Sequence, residues 1–143
     1  MAELSPFHLS LAVSSLAAAR KFYGDLLECP EGRSDDKKIY FNFFGHHLVL
    51  HVAPHEALQP TELLPPDEGI TTPIQHFGIM VTKETFEKLA KRLTAEKADF
   101  LTTPRQTDKN TVKEQSIMHL NDGCGNIVEF KYQEPRLHFA KTL

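Results

Sequence analysis

The stretch FHLSLAVSSLAAARKFYGDLLE, residues 7–28, changes its period partway through. Up to Val13 the apolar residues alternate: Phe7, Leu9, Leu11 and Val13 fall on one face of an extended chain, and His8, Ser10 and Ala12 on the other. That is the pattern of a strand with one buried side. Ser14 or Ser15 can then cap a helix by accepting a backbone N–H. Beyond them Leu16, Ala19, Phe22, Tyr23, Leu26 and Leu27 recur at helical spacing, which predicts an amphipathic helix. The same change of period returns in IQHFGIMVTKETFEKLAKRLTAEK, residues 74–97. There Phe77, Ile79 and Val81 oppose His76, Gly78 and Met80, Thr82 is the cap, and Phe86, Leu89, Ala90 and Leu93 form the stripe. A strand–helix unit that occurs twice points to an internal repeat.

The two units continue alike. IYFNFF and HHLVLHV read as two strands meeting at Gly45, and QSIMHL and IVEFKYQ as two meeting at NDGCGN. CPEG, SDDKK and the polar stretch 103–114 have the composition of loops, with one more strand expected near DFLT. Each half therefore reads β-α-β-β(-β). Between the halves, Pro60, Pro65, Pro66 and Pro73 forbid a long regular element, so this stretch is expected to be a linker or lid. The expected organisation is one domain over 1–143, with module one at about 1–55, a linker at about 56–73, module two at about 74–135 and a C-terminal tail.

With 143 residues, 41% hydrophobic and 24% charged, the composition is that of a soluble globular chain. A formal net charge of −3 gives no electrostatic case for nucleic acid or an anionic membrane as partner. The lysines of residues 83–97 alternate with glutamates, as on a solvated helix face. No apolar run approaches the ~20 residues of a membrane span, and no signal-peptide pattern precedes the first strand, so a cytoplasmic protein is expected. Cys29 and Cys124 lie far apart without CxxC spacing and are expected to be free thiols.

The chemistry lies opposite the apolar stripes. His8 and His76 hold the same place in the two first strands. Counting six residues on from Gly45 and from Gly123 reaches His51 and Glu129. By this count four potential metal ligands fall at matched places, each on the polar face of its strand. A lone strand histidine is more often a packed or solvent-facing side chain, but four matched residues favour a metal. A carboxylate inside NIVEFKY adds weight, because a buried charge without a partner is costly. Two imidazoles and one carboxylate suit non-haem Fe(II), and a third imidazole as fourth ligand suits Zn, Ni, Co or Mn as well. His46 reads as structural, while His47 and Lys131 read as rim residues. His55, His119 and His138 find no partner in this pattern. Tyr40, Asn42 and Phe44 share a strand face whose direction the register leaves open.

HLSLAVSSLAAARKFYGDLLECPEG, HFGIMV and NDGCGNIVEFKY resemble the vicinal oxygen chelate superfamily, which includes glyoxalase I, extradiol dioxygenases and the fosfomycin and bleomycin resistance proteins. The resemblance implies an α+β fold of two βαβββ modules, forming a cup-shaped mixed sheet with helices on its convex face, and a homodimer. It puts metal ligands at His8, His76 and Glu129, and His51 at the place of a fourth ligand, usually Glu in the glyoxalase branch. DGCGN departs from the Asp-Pro-x-Gly-Asn of many members. Three activities are compatible with it. An extradiol-dioxygenase-like enzyme would use Fe(II) on a small molecule with vicinal oxygens, with His51 as a catalytic acid or base. A glyoxalase-like lyase or isomerase would use His51 as the fourth ligand. A binding or resistance protein would do no catalysis. Three protein ligands on an octahedral metal leave room for a bidentate substrate and dioxygen, whereas four leave room for the substrate alone. The first reading is therefore the favoured expectation.

Overall fold

The computed structural model describes residues 3–54, 58 and 61–142, so His55 lies outside the described residues. The chain divides into two compact units, Met1–Pro60 with Asp122–Asn126, and Thr61–Asn121 with Ile127–Leu143. Each carries one βαβββ module with its own four-stranded mixed sheet.

In the first unit, β1 (His8–Val13) leads into helix α1 (Leu16–Ala19), which continues as a π-helical segment over Arg20–Leu26. Ser15 is the N-cap, its side chain accepting from the Ala18 N–H. The expected single helix thus widens where Phe22 and Tyr23 bring two adjacent rings into the core (6% and 0% exposed). Strands β2 (Glu31–Ser34), β3 (Lys38–Phe43) and β4 (His46–Val52) complete the sheet in the order β1-β4-β3-β2. β2 occupies a stretch that reads as loop. All four of its residues are exposed, so it has no apolar alternation to betray it, and an irregular pairing with β3 holds it at the sheet edge. β3 and β4 meet in a two-residue turn, Phe44 and Gly45, both at positive φ (52° and 89°). Asn42 Oδ1 closes the turn by accepting from the Gly45 N–H at 2.7 Å.

Ile39, Phe41, Phe43, Leu48 and Leu50 are buried on the face that meets the helix, where the rings of Phe41 and Tyr23 lie 5.7 Å apart. The segment 122–126 also belongs to this unit. Asp122 is 2% exposed, yet its carboxylate accepts from the Tyr23 hydroxyl (2.7 Å) and from the backbone N–H groups of Cys124 and Asn126 (2.8 and 2.9 Å). Gly123 takes φ +78°, a value closed to proline, so the departure from the Asp-Pro pattern gives this turn its own backbone path. Cys29 and Cys124 are buried and not joined in a disulfide, as expected, and burial together with the Asp122 charge pushes the Cys124 thiol far up.

In the second unit, β5 (Phe77–Met80) starts one residue after His76, later than the alternation suggests. Residues 61–75 fold back on themselves through backbone bonds, Ile74 N–H to Glu62 and Leu64 N–H to Thr72. Helix α2 (Lys83–Ala95) is capped by Thr82 and buries Phe86, Leu89 and Leu93. β6 (Phe100–Thr107), β7 (Gln115–Asn121) and β8 (Ile127–Gln133) give the order β5-β8-β7-β6. β6 extends well into the stretch expected to be loop from 103. As an edge strand it tolerates Pro104, which lacks an N–H, and its register with β7 shifts around that point. His138 bonds the Gln133 carbonyl after a 3-10 turn at Pro135–Leu137. Among the described residues no helix is long and apolar enough to cross a membrane.

Candidate metal centre

The β7–β8 hairpin builds the site. Its register pairs Asn121 with Ile127 and, two residues outward on both strands, His119 with Glu129. Directly paired residues of an antiparallel sheet share a face, so the imidazole and the carboxylate meet. β5 lies parallel on the other side of β8, with Gly78 opposite Glu129. The approach there is so close that a Cβ on Gly78 would overlap the backbone carbonyl of Glu129. That contact brings the chain just before β5, and with it His76, up to the same carboxylate.

The result is a group of two imidazoles and one carboxylate, His76, His119 and Glu129, whose candidate ligand atoms all lie within 4.8 Å of one another. His76 Nε2 is 3.3 Å from Glu129 Oε2, and His119 Nε2 also contacts that oxygen. The His76 and His119 rings meet edge to face at 5.3 Å. His119 is 1% exposed, and the His76 and Glu129 side chains are 25% and 16% exposed. The cluster is partly open to solvent on the His76 side and closed behind His119. Burial raises the Glu129 carboxyl, but the contact with His119 and the charges of His119, His76 and Lys131 outweigh it and hold it below its ordinary value.

These residues fit a divalent metal. The His76 Nδ1–H can donate to the Pro73 carbonyl at 2.7 Å, which leaves the Nε2 lone pair facing Glu129. A backbone carbonyl on the far ring nitrogen is the usual way a ligating histidine is oriented. A lone pair facing a carboxylate is favourable only when a proton or a metal cation lies between them. His119 Nδ1 is buried without a hydrogen-bond partner among the described residues. A fully buried imidazole is costly unless the site behind it gains from its other nitrogen.

Two of the four ligands expected from sequence, His76 and Glu129, therefore meet, and a residue that sequence reasoning passed over, His119, joins them. The signal for His119 was the hairpin register: counted outward from NDGCGN, it is the residue facing Glu129. The other two lie in the first unit. His8 pairs with His47 across β1 and β4, their Nδ1 atoms 2.7 Å apart and their rings stacked at 4.9 Å. His51 lies opposite Ala12 and Lys38, four residues along β4 from His47, roughly 13 Å at the usual rise of a strand, so His8 and His51 do not meet. The count that made His51 the mirror of Glu129 is corrected by the registers. Ser10 of β1 pairs with Val49, and Gly78, its counterpart in β5, pairs with Glu129, so Val49 holds the mirrored place. The turn before β4 has two residues and the turn before β8 has five, so counting from the glycines falls out of step. His46 accepts from the Phe7 N–H at 2.9 Å, a structural role as expected.

A family model described as the Glyoxalase/Bleomycin resistance protein/Dioxygenase superfamily matches residues 5–130. No curated protein is a significant match. Among solved structures, a glyoxalase/bleomycin resistance protein/dioxygenase from Alicyclobacillus acidocaldarius is 26% identical, with a TM-score of 0.78 over 94% of this chain and 96% of that one. A fosfomycin resistance protein from Listeria monocytogenes (15% identity, TM-score 0.64, 95% of this chain and 97% of that one) shares the fold. So does a lactoylglutathione lyase from Agrobacterium tumefaciens (16% identity, TM-score 0.63, 94% and 97%). With two βαβββ modules, a cluster of two imidazoles and a carboxylate on the second, and a family match over most of its length, the chain belongs to the glyoxalase/bleomycin resistance/dioxygenase superfamily.

Proposed function

We propose that the protein is a divalent-metal-dependent enzyme acting on a small molecule with vicinal oxygens, most akin to the extradiol dioxygenases, with Fe(II) as its favoured metal. The observation that supports this reading is the meeting of His76, His119 and Glu129, two imidazoles and a carboxylate with ligand atoms within 4.8 Å of one another. When bound, the metal supplies a Lewis acid for two adjacent substrate oxygens. The chain's own part is orientation. Pro73 fixes His76, the hairpin register fixes His119 against Glu129, and the burial of His119 keeps water from the back of the carboxylate. His8, whose Nδ1 meets that of His47, would be a fourth ligand and so belongs to the lyase alternative. His51 is proposed as an acid or base. As a fourth ligand it would favour the lyase or isomerase reading instead. A cytoplasmic homodimer belongs to the same proposal, and light scattering checks the assembly.

The test is elemental analysis of protein purified without oxygen, followed by titration with Fe(II), Mn(II), Ni(II) and Zn(II) and oxygen-uptake assays on catechols. Uptake that requires Fe(II) and the intact triad is the expected result. If no divalent metal binds, the reading fails. If a metal binds but the loaded protein isomerises hemithioacetals without consuming oxygen, the lyase alternative replaces it.

A further inference from the structure

The helix-free face of the first sheet carries three histidines and two cations. The registers put His8, His47 and Asn42 in one row, Ser10, Val49 and Tyr40 in the next, and Ala12, His51 and Lys38 in the third. Arg33 of β2 reaches the same face, its guanidinium 5.8 Å from the Tyr40 ring centre, and the Lys38 ammonium is 5.5 Å from that ring. Among the described residues no acidic side chain occupies a place in these rows. The one acidic residue in the four strands, Glu31, is bonded by Arg20 at 3.0 Å and by the Ser34 hydroxyl. Asp35, beside Lys38, already accepts the backbone N–H groups of Lys37 and Lys38. Arg33 has no carboxylate partner among the described residues. A cleft of about 400 Å³ opens beside it, lined by Arg33, Tyr40, Asn42 and His47 and also by Glu31, whose carboxylate is held by Arg20. The cleft is of the size that holds a small organic ligand.

Aromatic rings continue the surface. His8 stacks on His47, and His47 tilts against Tyr40 at 5.2 Å, so three rings in a row end at two cations. A flat ring can lie along such a row, while a planar carboxylate on that ring matches the fork of an arginine. We infer that this face binds the anionic end of a small ring-bearing molecule, an arene carboxylate, with Arg33 and Lys38 reading the charge and Tyr40 and His47 holding the ring. Only in calling that molecule the substrate does the inference rest on the proposed function; the binding stands apart from it.

Calorimetric titration of the full chain with benzoate, benzamide and cyclohexanecarboxylate, with and without a chelator, separates the contributions. Benzoate should bind about tenfold more tightly than neutral benzamide, the usual scale of a charge-assisted hydrogen bond. It should also bind more tightly than cyclohexanecarboxylate, which carries the charge without the aromatic ring. The charge preference should vanish in Arg33→Gln, and the ring preference in Tyr40→Leu, both at solvent-accessible positions. Equal binding of benzoate and benzamide, no binding of benzoate at 10 mM (roughly the weak limit of a useful subsite), or binding lost on chelation but kept in Arg33→Gln would each overturn the inference. Failure of the metal proposal looks different: no divalent metal binds, while the preference for benzoate persists in the presence of chelator.

Discussion

At the scale of single residues, the buried Asp122 and the half-buried Glu129 behave differently because their partners differ. Asp122 is served by a phenol and by backbone N–H groups. Burial first, and then the Asp122 charge, pushes the Tyr23 hydroxyl well up, so it remains a proton donor at any ordinary pH. Tyr23→Phe should cost about 1.5–3 kcal/mol, the range for a hydrogen bond to a charged group, and urea denaturation would measure it. In Asp122→Asn the same change should cost much less, because the charge is gone, and a double-mutant cycle would show the coupling. Glu129 gives a prediction in pH. Its folded carboxyl titrates below its ordinary value, so it contributes stability above its unfolded pKa and loses that contribution as pH falls through the folded one. In chelator-treated protein, Glu129→Gln should therefore flatten the acid limb of stability against pH. An acid limb unchanged by the substitution would mean that the His119 contact does not hold the carboxylate. Glu129 itself was legible in the sequence as a charge in an apolar run. Its partner was not, because a buried histidine within QSIMHL has no periodic signature of its own.

At the scale of elements, both strand–helix units were legible, because alternation giving way to a capped helix is a strong local signal. Ser15 and Thr82 cap as expected. β2 and the second half of β6 were not legible, because exposed edge strands are specified by pairing and carry no apolar pattern. The π-helical widening at Arg20–Leu26 depends on how two rings fit the core, which no spacing rule encodes. The site depended on register, and turns of different length hid it: His51 was chosen by a count that the hairpins do not keep. Register also makes Gly78 critical. A methyl group there would meet backbone atoms of Glu129, which cannot swing aside as a side-chain tip can. Gly78→Ala should push β5 off β8, lower stability by more than about 2 kcal/mol, as overpacking does, and carry His76 away from Glu129. Thermal denaturation and metal titration read the two effects. A variant with wild-type metal affinity would show that His76 does not depend on the β5–β8 approach.

At the scale of the whole molecule, chain connectivity couples the two units. β7 and β8 belong to the second unit, but the turn between them, 122–126, packs with the first, where Asp122 meets Tyr23 and the Asn126 side chain donates to the Ala12 carbonyl at 2.9 Å. Unfolding β7 and β8 would release the tether on that turn and loosen the Asp122 carboxylate from the buried Tyr23 hydroxyl, so neither unit can melt without cost to the other. Calorimetry should therefore show one transition, with calorimetric and van't Hoff enthalpies equal. A metal held by His76, His119 and Glu129 touches the second unit directly, yet through this coupling it should raise the whole transition. At a free metal concentration a hundredfold above Kd the stabilisation is about 2.7 kcal/mol, which for a chain of this size is a rise of roughly 10 °C. His119→Ala should remove most of that rise and leave a single transition. Two transitions, of which metal moves only one, would show that the 122–126 turn does not couple the units, whatever the metal site does.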